Sequence, residues 1–480
     1  MYRLVVVGIS YNLLAAVCKI SRFLLDTRIN HLDSIIMSFS WSWKEHLQLG
    51  RYIVRWLILV FPVATVIGSL TALFLWSLEL VTSTRESTPW LLYLLPIAGL
   101  AIGITYHTIG KRIEGGNNLI VDEIHSPDAG VPTRMAPLIL ISTIITHLFG
   151  GSVGREGTAI QIGGSISSFF SSVYRVDRDS ARILLLCGIA GGFGAVFGTP
   201  IAGAIFAVEV LAIGTIEYDA ILPCLMASLI GDLACRLWGI HHTQYILPPN
   251  STNHALGSLL FSIDSILLCK VGLASVVFGL VSVFFAELTH TISDIFKKVV
   301  TYPVIRPVIG GVILLAMVYL LGTRDYLGLG VSSAGENGVS IQSAFHETGS
   351  TPLSWFWKSL FTAISLGSGF KGGEVTPLFF IGATAGNALS ALLNAPVALF
   401  AALGFVAVFA GATNTPLACI IMSTELFGSD YLLYFTIACY LSYFFSGHSS
   451  IYLSQRIASA KGGLKFRGNQ SLRDIRKSRI

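Results

Sequence analysis

Charged residues are scarce in this chain. Lys, Arg, Asp and Glu make up 12% of its 480 residues, whereas 53% are hydrophobic. A soluble protein of this size needs far more charge to cover its surface, so a soluble binding module is excluded. Long, nearly uncharged runs predict helices that span a bilayer; examples are residues 56–81, 91–109, 263–286 and 307–321.

Residue patterns typical of enzymes and metal sites are also missing. The seven cysteines form no CxxC or other metal-ligand spacing, and most lie in apolar runs, where cysteine behaves as a small core residue. Within the spans there is no grouping of Ser or Cys with His that would indicate an intramembrane hydrolase. We therefore expect no enzyme activity, no cofactor and no metal.

Basic residues cluster towards both ends of the chain. Eight Lys or Arg residues and one acid follow from Arg456 onward, and Lys44, Arg51 and Arg55 precede the first strong span. The positive-inside tendency then predicts that both termini of a protein in the cell membrane, inner or plasma, are cytoplasmic. Because this tendency explains the basic tail, we expect no nucleic-acid partner. We expect one membrane domain over residues 37–457 and a basic cytoplasmic tail over 458–480. Residues 1–36 are expected to be a poorly ordered or peripheral extension, and Met37 is an alternative start.

The membrane domain repeats itself weakly, with a first repeat at about 50–245 and a second at about 260–457. GREGTAIQIGG resembles GGEVTPLFFIG, which aligns Glu156 with Glu374, Thr158 with Thr376 and Gly164 with Gly382. Further along, Thr199-Pro200 matches Thr415-Pro416, and Glu209 matches Glu425. Internal symmetry of this kind is typical of transporters, usually as inverted repeats.

Several apolar segments begin abruptly after glycine-rich or Thr-Pro turns. Helices that begin inside a membrane direct unpaired N–H groups and a positive dipole end at the midplane, which favours an anion. Glu156 lies at such a start, where its carboxylate would compete with a transported anion and carry a proton when neutral. Arg155 would add positive potential or form a structural pair. The alternative is that Glu156 only caps a helix, with Arg155 at the bilayer interface.

These motifs resemble the CLC family of chloride channels and proton-coupled anion antiporters. The resemblance covers about residues 50–457 and depends on GREGT (154–158), GSGFKGGEVTP (367–377), both Thr-Pro repeats and Tyr452. It implies an all-α membrane fold of two inverted repeats with many tilted, partly broken helices, and a homodimer with one pore per subunit. It also implies that Glu156 is the gating and proton-coupling glutamate and that Tyr452 is the central pore tyrosine. The candidate anion-binding residues are Gly116, Asn117, Asn118, Gly154, Arg155, Gly157, Phe370, Val375, Thr376 and Tyr452.

Departures from the common family pattern resemble its fluoride-exporting branch. EGGNNLIVDEIH replaces the usual Ser-containing motif, with Gly116 or Asn117 at the contact position, and Val210 replaces an inner proton glutamate. Fluoride is small and strongly hydrated, and compact donors such as the amides of Asn117 and Asn118, the Thr376 hydroxyl and the Tyr452 phenol suit it. The ring edge of Phe370 could add to them. The leading hypothesis is therefore fluoride/proton antiport; the alternative is a chloride/proton exchanger or a voltage-gated-type chloride channel.

Three other acids have two interpretations each. Glu374 either relays protons in place of the missing inner glutamate or bonds loop amides and stabilises the loop. Glu209 and Glu425 occupy matching ends of short helices, and this symmetry favours a structural role as caps of neighbouring helix starts.

Overall fold

The computed structural model describes residues 43–127, 130–245, 247–248, 264–333, 335, 338–464 and 470–479. Contacts divide the chain into two units, Met1–Trp56 and Leu57–Ile480. Of the first unit, only residues 43–56 are described, and they form the beginning of a helix. The expectations for residues 1–36 and for a start at Met37 fall outside the described residues.

Sixteen α-helices occupy the described ranges. The first eight are α1 (Trp43–Ser87), α2 (Leu95–Thr108), α3 (Asn117–His125), α4 (Met135–Leu148), α5 (Glu156–Tyr174), α6 (Arg178–Phe197), α7 (Pro200–Glu209) and α8 (Ile221–Leu237). The next eight are α9 (Ser265–Val299), α10 (Arg306–Leu321), α11 (Ser354–Ser368), α12 (Val375–Leu393), α13 (Val397–Thr413), α14 (Pro416–Phe427), α15 (Leu432–Phe445) and α16 (Leu472–Arg479). Two short strands, β1 (Ala212–Ile213) and β2 (Arg456–Ile457), pair in parallel.

Seven helical segments of the described chain are long and apolar enough to cross a bilayer. They are Glu45–Ser87, Pro89–Thr108, Arg178–Phe197, Tyr218–Leu237, Ser265–Val299, Pro303–Leu321 and Val375–Leu393. Large apolar side chains also lie on the outer surface of α1, where Leu73, Trp76 and Leu80 are about half exposed. An apolar exterior of this extent suits lipid rather than water. The all-α membrane architecture expected from the sequence is confirmed.

The two halves reuse the same packing at glycine contacts. In the first half α5 packs on α6, and a Cβ at Gly163 would overlap the Gly188 carbonyl. In the second half α12 packs on α13, and a Cβ at Gly382 would overlap the Gly404 carbonyl. Only glycine lets helix backbones approach so closely. The internal repeat inferred from the sequence is therefore a structural repeat.

The helix ends correct the alignment of the two repeats by one residue. Arg155 precedes α5 with φ −110° and ψ −26°, and Glu374 precedes α12 with φ −106° and ψ −18°. Arg175 and Asn394 end these helices, both in the left-handed conformation. Glu374 is therefore the counterpart of Arg155, and the expected equivalence of Glu156 with Glu374 is wrong. The sequence alignment matched the letters Glu-x-Thr, whereas the helix caps and glycine contacts determine the register.

The short helices α7 and α14 cap each other. Glu209, at the end of α7, accepts hydrogen bonds from the N–H groups of Leu417 (3.0 Å) and Ala418 (2.8 Å) at the start of α14. Glu425, near the end of α14, accepts from Ile201 (2.9 Å) and Ala202 (2.8 Å) at the start of α7. These contacts confirm the capping role expected for both acids, and they show that α7 and α14 run antiparallel, as inverted repeats require.

Replacing Glu209 with glutamine should destabilise the protein. The variant keeps one acceptor oxygen, so one of two buried N–H groups at the start of α14 loses its partner, at a cost of about 1–2 kcal/mol. Thermal unfolding of the purified protein in detergent measures this loss. Glu425→Gln should behave alike because its contacts are equivalent. An unchanged melting temperature for both variants would contradict the capping role.

Candidate functional site

The loops that precede α5 and α12 meet and pair with each other. Gly154 donates its N–H to the Gly373 carbonyl at 2.6 Å, and Gly373 donates to the Gly154 carbonyl at 2.8 Å. The GREGT and GGEVTP motifs, 219 residues apart at these glycines, therefore lie side by side. As a result, the starts of two helices from opposite halves converge on one point.

The Glu156 carboxylate lies at this point and is fully buried. Its Oε1 accepts the Val375 N–H at 2.5 Å, while Oε2 accepts the Thr376 hydroxyl at 2.7 Å and the Arg155 N–H at 2.9 Å. Val375 begins α12, so the carboxylate occupies the positive end of that helix. Such a position would equally hold a free anion, because unpaired N–H groups and a hydroxyl point at it.

Glycine is required on both sides of this carboxylate. A Cβ at Gly154 would lie 2.5 Å from Glu156 Oε1 and 2.9 Å from the Pro377 ring. A Cβ at Gly373 would overlap the same oxygen and lie 2.6 Å from the Gly157 nitrogen. Any larger residue would therefore exclude the carboxylate from its position.

The Arg155 side chain forms no ion pair with the Glu156 carboxylate. Its Nε is buried without a hydrogen-bond partner, and it forms no ion pair with the described part of the chain. Of the two roles considered for Arg155, the geometry therefore favours a contribution to the positive potential over a structural pair. The guanidinium instead adds positive charge near the helix starts.

A cavity of about 250 Å³ lies next to the paired loops. Among the candidate residues, its lining includes Gly116, Asn117, Asn118, Phe370, Glu374 and Tyr452. The other six candidates, Gly154, Arg155, Glu156, Gly157, Val375 and Thr376, lie at the loops themselves. Asn117 connects the two groups, because its Nδ2 would lie 3.1 Å from a Cβ on Gly157.

The amides of the GGNN stretch have different surroundings. Gly116, with φ +56°, precedes α3, and Asn117 is the first helical residue. Asn118 accepts the Ser454 N–H on its Oδ1 at 2.9 Å, so its NH₂ group is left to donate. Asn117 Oδ1 is buried without a partner. The NH₂ group of Asn118 thus retains donor capacity beside the cavity, whereas the unpartnered atom of Asn117 is an acceptor and its NH₂ group lies towards Gly157.

Tyr452 is buried, and its hydroxyl has no hydrogen-bond partner among the described residues. Its ring meets that of Phe206 edge-on, with centroids 6.5 Å apart. Buried hydroxyl groups nearly always have a partner in a protein, so this phenol beside a cavity is available to bond a ligand or a water molecule. A phenol O–H donates, which suits an anion.

Glu374 is partly buried and lines the same cavity. Within the described chain, its carboxylate accepts no hydrogen bond, whereas the Val375 N–H of its own loop is taken by Glu156. The interpretation of Glu374 as an acid that bonds loop amides is therefore not supported by the geometry. A carboxylate that faces a cavity is able to exchange protons with the groups and ions in it.

Sequence reasoning missed several polar residues of the cavity lining. They are Glu114, Gln161, His290 and Lys297. Gln161 lies close to Gly116, where a Cβ would be 3.4 Å from its Nε2. An amide inside the otherwise small and apolar first half of α5 was the one available signal for Gln161. Glu114 comes from a loop, and His290 and Lys297 come from α9; the sequence does not encode their proximity locally.

Comparisons with known proteins agree with this arrangement. A profile of the family described as voltage gated chloride channel matches residues 98–447. A chloride/fluoride channel protein of Pseudomonas syringae pv. tomato is 46% identical over 423 residues, covering 87% of this chain and 90% of that protein. The crystal structure of a CLC-type fluoride/proton antiporter is similar with a TM-score of 0.77 at 32% identity, covering 84% of this chain and 98% of that chain. A slow cyanobacterial Cl⁻/H⁺ antiporter shares the fold, with a TM-score of 0.68 at 18% identity.

Proposed function

The chain belongs to the voltage gated chloride channel family, and from that premise we propose that it is a fluoride/proton antiporter that exports fluoride from the cytoplasm. The family consists of membrane channels and transporters, and we propose no enzymatic activity for this member. The fluoride named for the Pseudomonas relative and for the 32% identical antiporter supports this choice of anion.

The observation that carries the proposal is the position of the Glu156 carboxylate. It fills the start of α12, bonded to the Val375 N–H and the Thr376 hydroxyl. When Glu156 is ionised, it competes with a free anion for these donors. When it is protonated, its charge is lost and so is most of its attraction to the helix end. An anion then takes its place, so each exchange of the two occupants also moves a proton.

The donors beside this position suit a small, hard anion. Fluoride gives up strong hydration on entering the protein, and only compact donors replace it. The Thr376 hydroxyl, the unpartnered Tyr452 hydroxyl and the amide groups of Asn117 and Asn118 provide such donors. The buried Phe370 ring borders the same cavity.

Export fits the chemistry of fluoride in cells. Hydrogen fluoride is a weak acid that crosses membranes as a neutral molecule and dissociates inside. An antiporter driven by the proton gradient would counter this accumulation. We propose a cell membrane location, inner or plasma, with both termini in the cytoplasm; Arg51, Arg55 and the basic tail support that orientation. We also propose a homodimer with one pore per subunit, as in the family pattern.

Fluoride efflux from liposomes that contain the purified protein tests the proposal. Liposomes loaded with fluoride at neutral pH should lose it at least about tenfold faster than matched liposomes lose chloride, a discrimination of about 1.4 kcal/mol. Protons should enter in the same sample, because each exchange moves one. Protein-free liposomes provide the control for passive leakage. Equal rates for both anions with proton movement would favour a chloride/proton exchanger, and anion flux without proton movement would favour a channel.

A further inference from the structure

The end of the chain is bonded to the segment that follows Tyr452. Arg473 donates its N–H to the Leu453 carbonyl at 2.9 Å, and Leu472 donates to the Gln455 carbonyl at 2.9 Å. In return, Ile457 donates to the Gln470 carbonyl at 3.1 Å. Leu472 and Ile475 are buried in a small core with Ile213 and Ile457. Residues 470–479 of the basic tail are thus folded onto the membrane domain.

The Arg473 side chain connects two parts of the anion site. Its Nη2 donates to the Ser454 hydroxyl at 2.8 Å, and both Nη atoms lie 3.4 Å from Asp122 Oδ2. Ser454 in turn donates its N–H to Asn118 Oδ1 at 2.9 Å. Asp122 lies one helical turn after Asn118 on α3, and Ser454 lies two residues after Tyr452. Arg473 therefore closes a ring of contacts between the helix of Asn118 and the segment of Tyr452.

We propose that Arg473 is a positioning residue that fixes the distance between the Asn118 amide and the Tyr452 phenol, and so sets the affinity and selectivity of the cavity for its anion; this inference rests on the proposed function. A small anion is bound well only if both donors reach it together, and a cradle that opens slightly favours a larger ion. Without Arg473, the link through the Ser454 hydroxyl and Asp122 is lost, and α3 is held to the Tyr452 segment by fewer bonds, such as that from the Ser454 N–H to Asn118 Oδ1.

The contribution of Arg473 to folding should be small. The side chains of Arg473 and Asp122 are 42% and 47% exposed, and an ion pair that is exposed to this degree stabilises little. The Tyr452 segment also has an independent anchor, since Gln455 Nε2 donates to the carbonyls of Val210 at 2.9 Å and Thr413 at 3.0 Å. A variant at position 473 should therefore fold, which makes its transport properties measurable.

The test compares Arg473→Ala with Lys477→Ala in proteoliposomes. Lys477 lies on the same helix, is exposed, and forms no side-chain bond with the described residues, so its replacement removes the same charge without the contacts. We expect Arg473→Ala to raise the KM for fluoride about fivefold and to lower the preference for fluoride over chloride by a similar factor. This effect is smaller than the full contribution of a hydrogen bond to a charged group. Lys477→Ala should leave both values unchanged.

Two further variants separate positioning from mere structural support. Arg473→Lys offers one charged donor in place of a planar fork and should give an intermediate KM. Ser454→Ala removes the hydroxyl acceptor and should reproduce most of the effect; it carries the test if Arg473→Ala does not yield monodisperse protein. An unchanged KM and selectivity in Arg473→Ala and Ser454→Ala, or a loss confined to the yield of folded protein, would overturn the inference. If the unmodified protein exchanged chloride instead of fluoride, the proposed function would fail, while the same comparison with the chloride KM would still test Arg473.

Discussion

Replacing Glu156 with glutamine is expected to abolish proton movement by this protein. Glutamine resembles the protonated side chain in size but cannot take up or release a proton. Its NH₂ group also cannot accept the hydrogen bonds that the Thr376 hydroxyl and the Arg155 N–H donate to Oε2. The variant should therefore give up the start of α12 to an anion more readily. Proton uptake driven by a fluoride gradient, recorded with a pH-sensitive dye in proteoliposomes, measures the loss.

Glu425→Gln provides the matched control for this experiment. It makes the same chemical change at another carboxylate that accepts two N–H groups at a helix start. Glu425 lies on α14, and its carboxylate caps the start of α7, outside the anion site. Its proton flux per mole of folded protein should stay normal. Proton uptake that persists in Glu156→Gln would show that coupling uses another group, and loss of coupling in both variants would point to a general effect on folding.

Replacing Glu374 with glutamine is expected to slow coupled transport by about 10²-fold, the lower range for removal of a proton-transfer group. The family resemblance puts Val210 at the place of an inner proton glutamate, so we expect protons to need another route to Glu156. Glu374 directly precedes Val375 and Thr376, which bond Glu156, and it lines the cavity without a hydrogen-bond partner in the described chain. Glutamine preserves its size and polarity while removing its titration, so the variant should remain folded.

Glu114→Gln is the control for Glu374, because Glu114 lines the same cavity from an exposed position. Fluoride and proton fluxes are measured per mole of monodisperse protein for both variants. Normal coupled fluxes in Glu374→Gln would reject the relay. Equal slowing by both variants would instead indicate that the cavity responds to its total negative charge rather than to one carrier.

Much of this architecture could be predicted from the sequence because its signals are local. Apolar runs indicated the membrane helices, glycine and Thr-Pro turns indicated the broken helix starts, and the symmetric placement of Glu209 and Glu425 indicated mutual capping. The relation between Glu156 and Glu374 could not be obtained in this way. The letters match best in a register one residue away from the structural one, and that register pairs a carboxylate bonded at a helix start with one that faces a cavity. Helix caps and close glycine contacts decide such a register, and both depend on tertiary packing.

The role of the chain end was equally hidden from the sequence. A run of basic residues after the last span has a simple explanation in the positive-inside tendency, which says nothing about individual contacts. Arg473 bonds to Ser454, 19 residues earlier, and to Asp122, 351 residues earlier. Pairings over such separations leave no periodic trace in the sequence. Only the folded chain shows that a tail arginine lies against the segment that follows Tyr452.

The mutual capping of α7 and α14 also limits how this protein can move. Each helix ends in a carboxylate that holds the beginning of the other, so sliding or tilting one half against the other would break four hydrogen bonds at once. Transporters built from inverted repeats often alternate access by rocking one repeat as a rigid body. Here hydrogen bonds join the two repeats at both ends of the helix pair α7 and α14. We therefore expect the transport cycle to proceed with a nearly stationary scaffold, in which the Glu156 side chain swings and the backbone around it changes little.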